Sequence, residues 1–137
     1  MSLSKIQREF TFDIAKLIIH AYECLGIEMT FGEAHRTNSQ MLLNYFGYEV
    51  VKGGVFGIKL QKTRQLSKVL WSSHGDRLAV DFNFFIDGEL TYDWHKIKPL
   101  ADYWEDLREE NVWGGDWNKN GIKDGFIDVP HFQRLKE

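Results

Sequence analysis

Cysteine occurs once in the 137 residues, at Cys24. A lone thiol excludes an intrachain disulfide framework and a structural zinc site built from thiolates. Proline occurs twice, so no proline-rich linker divides the chain, and it has no internal repeat or low-complexity stretch. Basic residues do not predominate: 17 Lys and Arg stand against 20 Asp and Glu, a net charge of −3. That balance argues against a nucleic-acid binder, which presents a basic face. Long hydrophobic runs are also missing. The apolar stretch Leu17 to Leu25 is interrupted by His20 and Glu23 and is too short and too polar to cross a bilayer. No secretory signal is visible. The expectation is a protein without membrane insertion, held in the cytoplasm until something else releases it to its site of action.

Hydrophobic residues make up 43% and aromatics 15% of the chain, enough for a dense core in a single domain spanning residues 1–137. Phe10, Ile14, Leu17, Ile18, Ala21 and Leu25 recur at helical spacing, which predicts a helix over 4–25 closed by Gly26. Residues 27–36 alternate like a strand. Thr37 suits the N-cap of a short helix through Asn44, ended by Gly47. The glycine-punctuated stretch from Gly47 to Ser73 carries no readable period. Leu78 to Phe85 is the clearest strand, with Leu78, Val80, Phe82 and Phe84 on one side and Ala79, Asp81, Asn83 and Phe85 on the other. Asp87-Gly88 signals a turn. A helix from Asp93 or Pro99 to Glu110 follows, then short strands around Trp113 and over 129–133. The fold class is α+β: a small antiparallel sheet with helices packed on it.

The chemistry gathers in two segments. Ser72-Ser-His-Gly-Asp-Arg-Leu-Ala-Val-Asp81 holds an imidazole and a carboxylate with six residues between them, and Asp128-Val-Pro-His131 adds a second imidazole. Two histidines and one carboxylate, with a fourth position open, are how a protein holds a catalytic zinc. His74 and Asp81 are an odd number of residues apart, so a straight strand would set them on opposite faces. A turn around Gly75-Asp76 is required to bring them together.

These segments resemble the zinc peptidases that cleave D-amino-acid-containing peptides of bacterial peptidoglycan. Those are the D-Ala-D-Ala carboxypeptidases and dipeptidases and the L-alanyl-D-glutamate endopeptidases used as phage endolysins, a group sharing the Hedgehog/DD-peptidase fold. Arg36-Thr37-x-x-Gln40 is similar to the family's upstream arginine motif, and Trp113-Gly-Gly-Asp-Trp117 to its segment before the last ligand. The likeness runs from about Ile27 to Gln133.

The resemblance implies zinc held by His74, Asp81 and His131, with Asp128 as acid/base and Arg36 stabilising charge on the substrate. It also implies that Trp113, Trp117, Gln40 and Ser72 border or support the site. Zinc lowers the pKa of a bound water from about 15.7 to near 7. The implied partner is the peptidoglycan stem peptide, and the protein is expected to act as a monomer. Cleavage as an L-alanyl-D-glutamate endopeptidase is the preferred reading. The alternatives are D-alanyl-D-alanine carboxypeptidase activity and a non-catalytic zinc-binding module like the Hedgehog domain. One position departs from the family pattern: Arg77 stands where glycine is common, and it is expected to keep ordinary dihedrals.

Asp116, Asn118, Asn120 and Asp124 form a weaker pattern, oxygen ligands at alternate positions with Gly121 sixth, like the first half of an EF-hand calcium loop. Its twelfth position is Ile127, so the closing bidentate carboxylate is missing. A calcium ion there would order the loop leading to Asp128 and His131. His20, His35, His95 and Cys24 read as structural or peripheral.

Overall fold

The computed structural model describes residues 1–136. Helix α1 (Leu3–His20) starts at Ser2, whose hydroxyl accepts the Lys5 amide. It turns Ile6, Phe10, Ile14 and Leu17 into the core, the three-to-four spacing of an amphipathic helix. One wider π-turn, Ala21–Leu25, prolongs it, and Gly26 ends it with a left-handed φ of 66°. The helix expected over 4–25 is therefore present, with its last turn widened.

Strand β1 (Ile27–Phe31) is shorter than the predicted 27–36. Gly32 and Glu33 still exchange backbone hydrogen bonds with Asp81 (2.7 and 2.9 Å), after which the chain bends at Ala34 to start α2. Helix α2 (Asn38–Phe46) is capped by the Thr37 hydroxyl, which accepts the Gln40 amide, and ends at left-handed Gly47. The stretch that carried no period contains a hairpin of its own, β2 (Tyr48–Lys52) with β3 (Ile58–Lys62), forming a separate two-stranded sheet.

The main sheet is built around β4 (Ala79–Ile86). Its strands run in the order β1-β4-β7-β6 and are all antiparallel, and β5 (Glu89–Thr91) pairs with the end of β4. Asp87 and Gly88 make the predicted turn with both φ values positive, 52° and 77°, the requirement of a two-residue hairpin. Helix α3 (Trp94–Leu107) begins at Asp93, whose carboxylate accepts the Lys96 amide, and it continues through Pro99. It stops at extended Arg108, short of the predicted Glu110. Strands β6 (Asn111–Trp113) and β7 (His131–Arg134) complete the sheet.

The core lies between one face of β4 and the helices. Leu78, Val80, Phe82 and Phe84 are at most 3% exposed and cluster with the α1 stripe and with Ile97, Leu100 and Trp104 of α3. Trp104 meets Phe10 and Phe132 edge-on at 5.7 and 6.0 Å between ring centres. Truncating a buried aromatic of this kind to alanine typically costs about 3–5 kcal/mol. Asp13, also fully buried, accepts from Arg108 Nε at 2.7 Å and ties α1 to the end of α3. This packing leaves the other face of β4, with Asp81 and Asn83, free for chemistry. The architecture is α+β with a small antiparallel sheet, as expected.

Candidate metal centre

Strand pairing sets two of the three expected ligands opposite each other. Asp81 of β4 is the cross-strand partner of His131 in β7. The Asp81 amide and carbonyl are both used on the β1 side, by Glu33 and Gly32, while the His131 carbonyl is used on the β6 side, by Gly114. Asp81 and His131 therefore form a non-hydrogen-bonded pair, the kind in which opposed side chains approach most closely. Val80 and Phe132, one step along in register, face the core, so the period of two turns Asp81 and His131 away from it.

His74 arrives from the turn before β4. The Ser72 hydroxyl accepts the His74 amide (3.1 Å), Gly75 donates to Ser72 O, Arg77 donates to His74 O, and Leu78 donates to Ser73 O. This closed turn is what the odd spacing required. Its geometry overturns one expectation: Arg77 does not keep ordinary dihedrals but takes φ 57°, the left-handed conformation in which glycine carries no penalty. An arginine therefore stands where the backbone itself favours glycine.

The three side chains converge. His131 Nδ1 lies 3.2 Å and His74 Nε2 3.5 Å from the same oxygen, Asp81 Oδ1. One ligand atom from each of the three lies within 4.8 Å of the others, and both imidazoles are buried. No other cluster of three or more His, Cys, Asp or Glu side chains suited to a metal occurs among the described residues.

The donor chemistry fits a cation. Gln133 lies two residues from His131 on the same strand face, and its Oε1 contacts His131 Nε2 at 2.6 Å. An amide oxygen there accepts a proton from Nε2, which leaves the Nδ1 lone pair facing the Asp81 carboxylate. Two acceptors around one neutral imidazole leave a proton missing, and a proton or a metal ion on Nδ1 resolves the conflict.

The electrostatics follow the same geometry. Burial by itself would raise the Asp81 pKa, but hydrogen bonds from His131 and then His74 outweigh it and hold the carboxylate well below its ordinary range. Burial opposes the charged form of His131, and hydrogen bonds to Asp81 and Gln133 overcome it, so its pKa rises.

Asp128 is half-buried beside this cluster. Burial raises its pKa and the Asp81 charge adds to the rise, against the attraction of His131 and His74. It is placed by backbone bonds: Asp128 N–H donates to Gly114 O, Gly114 N–H to His131 O, and His131 N–H to Asp128 O. A side chain at Gly114 would put a Cβ 2.4 Å from Asp128 O and 2.8 Å from His131 Cβ. Only glycine lets β6 approach this closely.

The remaining candidates divide. Arg36 is brought to the rim: its amide donates to His74 O, and its Nε and Nη2 bind Glu33 Oε1 at 2.9 and 2.6 Å. The same Glu33 oxygen is 3.6 Å from His74 Nδ1, a buried nitrogen with no hydrogen-bond partner. Glu33 was not foreseen, because its place depends on β1 running on beside β4.

Trp117 stands 5.2 Å from the His131 ring and stays partly exposed, so it borders the centre. Trp113 does not, and that expectation is corrected. It is fully buried, lies tilted against Trp94, and donates to Val129 O at 2.8 Å, so it braces the loop and cannot touch a substrate. Gln40 is exposed on α2 and bonds Asn44, and Ser72 supports the His74 amide, so neither contacts the ligand atoms. His20 stacks on Tyr103 at 3.8 Å, a structural role as expected.

The 116–124 loop closes on its own hydrogen bonds. Asp116 is buried, and its carboxylate accepts the Asn120 and Gly121 amides. The side-chain oxygens of Asn118 and Asn120 accept the Asn120 and Ile122 amides, and Asn120 Nδ2 donates to Asp124.

No protein-family model matches this sequence, and no curated protein matches it. Among solved structures, it is similar to the crystal structure of the Serratia marcescens L-Ala D-Glu endopeptidase ChiX. The TM-score is 0.56 and the identity 20%, over 96% of this chain and 85% of that one. The chain thus has the α+β fold of an L-Ala D-Glu endopeptidase, with the buried His74–Asp81–His131 cluster on its open sheet face.

Proposed function

We propose that this chain is a zinc-dependent peptidase of the bacterial peptidoglycan stem peptide, acting as an L-alanyl-D-glutamate endopeptidase of the endolysin type. The observation that carries the reading is the convergence of three N/O ligand atoms beside a half-buried carboxylate, Asp128. The shared fold with an enzyme named for this bond favours the endopeptidase over the carboxypeptidase reading.

His74, Asp81 and His131 would hold the zinc, which when bound polarises a carbonyl and lowers the pKa of water. Asp128 takes the proton of the attacking water and passes it to the leaving amine. Arg36, anchored to Glu33 through Nε and Nη2, would offer its remaining N–H groups to the oxyanion of the tetrahedral intermediate; such a donor is typically worth about 10²–10³ in kcat. Ser72 holds the turn that presents His74, and Trp117 flanks the peptide. Gln133 fixes the ring orientation of His131, as outer partners of metal-binding histidines do.

The test couples elemental analysis of the purified protein to mass spectrometry of digested muropeptides. The expected result is stoichiometric zinc and a stem peptide released from L-Ala. Removal of terminal D-Ala alone would transfer the reading to a D,D-carboxypeptidase, and undetectable zinc would end both. A non-catalytic zinc-binding module is the second reading. Asp128 favours the enzyme, since a structural site needs no acid/base beside it. Calcium at Asp116, Asn118, Asn120 and Asp124 is an accessory of the proposal: equal activity with zinc alone and with zinc plus calcium removes it.

A further inference from the structure

The β2–β3 hairpin belongs to no part of the core. None of its residues joins the buried cluster, and an isolated two-stranded hairpin is marginal by itself. Its register places Val50 opposite Leu60 and Lys52 opposite Ile58 on one face, with Tyr48 opposite Lys62 beyond them. Val50, Ile58 and Leu60 are each more than half exposed. The tip is the most exposed apolar feature of the protein: Val55 and Phe56 are 95% and 92% accessible. Contiguous apolar surface of this kind marks an interaction site.

Charge identifies the partner. Between Gly47 and Trp71 the basic residues are Lys52, Lys59, Lys62, Arg64 and Lys68, against a single acid, Glu49. The whole chain is nonetheless net negative, so the remainder is strongly acidic. An anionic surface therefore repels the body and attracts the hairpin, which orients the molecule tip-first. Lysines ringing an exposed Val-Phe tip match a surface that is anionic at its face and apolar just beneath. Their alkyl stems can lie along the apolar residues while the ammonium groups stay with the headgroups. A hydrated anionic polymer meets the charge but offers nothing to Val55, Phe56, Ile58 and Leu60.

We propose that the β2–β3 hairpin is a peripheral docking element for anionic phospholipid bilayers, with Val55 and Phe56 entering the interface and Lys52 and Lys59, which flank the tip, at headgroup level. This is adsorption to a surface, not a crossing of it, and it stands independently of the metal centre.

The test is co-sedimentation of the full chain with vesicles of phosphatidylcholine alone, vesicles of equal parts phosphatidylcholine and phosphatidylglycerol, and purified peptidoglycan sacculi. Binding is expected on the anionic vesicles and is expected to weaken with added salt. Each of Lys52→Gln and Lys59→Gln should lower the partition about fivefold, and Phe56→Ser about tenfold. These positions are exposed, so circular dichroism and zinc content should not change. Absence of wild-type binding to anionic vesicles overturns the proposal, as does equal binding to neutral ones. Hairpin variants that sediment like wild type, or hairpin-dependent binding confined to sacculi, overturn it too.

Discussion

Replacing Arg77 with glycine should make this protein more stable, although the site lies in the turn that presents His74. Arg77 holds φ 57°, a conformation that costs a residue with a Cβ about 1–2 kcal/mol. Glycine removes that cost but widens the unfolded ensemble, returning about 0.4–1 kcal/mol. Nothing else is at stake in the side chain: among the described residues Arg77 is exposed and makes no side-chain hydrogen bond or ion pair, and the turn is closed by backbone bonds that glycine keeps. The net expectation for Arg77→Gly is a gain of about 0.5–1 kcal/mol, or about 2–4 °C in Tm for a chain of this size. Arg77→Ala is the control, since alanine keeps the strain and should not stabilise. Urea unfolding of the two variants and the wild type at one fixed pH measures the difference. A glycine variant no more stable than the alanine variant would refute the argument that the backbone here is strained.

Asp128→Asn should keep zinc content at the wild-type level while turnover of muropeptides falls by about 10²–10⁴; full activity in that variant means the acid/base has been assigned wrongly. Gly114→Ala should cost about 1–3 kcal/mol of stability and loosen zinc retention, because the new methyl meets Asp128 O and His131 Cβ inside contact distance. Dialysis against chelator followed by metal analysis reads the second effect, and unchanged retention rejects the packing argument. Glu105 gives the protein a pH dependence. Burial raises its carboxyl to about 7 from 4.5, against the pull of Lys119, and its Oε2 is buried with no hydrogen-bond partner. With the folded pKa above the unfolded one, the stabilising difference is full below about pH 4.5 and is lost as pH rises through 7. Urea midpoints at pH 5 and pH 8 should therefore converge in Glu105→Gln relative to wild type, with the variant the more stable at pH 8; parallel pH profiles would exclude Glu105 as the source.

The parts of this fold that could be read in the sequence are those whose signals are local. Thr37, Gly26 and Gly47 act within one helical turn, and β4 announces itself because one of its faces must be buried, which enforces alternation. The hairpin over 48–62 escaped for the complementary reason. None of its residues enters the core, so neither face must be apolar, and Val50-Val51 and Val55-Phe56 sit side by side without a period. The site divides along the same line. Its three candidate ligands were legible because metal chemistry restricts residue type, whereas Glu33 and the positive φ of Arg77 depend on pairings with Asp81 and Ser73 that spacing alone does not encode. Gln133 is the instructive case, because its signal was available: it lies two residues after a ligand on a strand, and so must share that ligand's face. A polar side chain two positions from a strand-borne histidine is a candidate to hold its second nitrogen, and here the structure places Gln133 Oε1 2.6 Å from His131 Nε2. The same rule applied to Asp81 selects Ala79 and Asn83. Ala79 is fully buried and Asn83 bonds Thr30 and Tyr92, so neither competes with His74 and His131 for the Asp81 carboxylate.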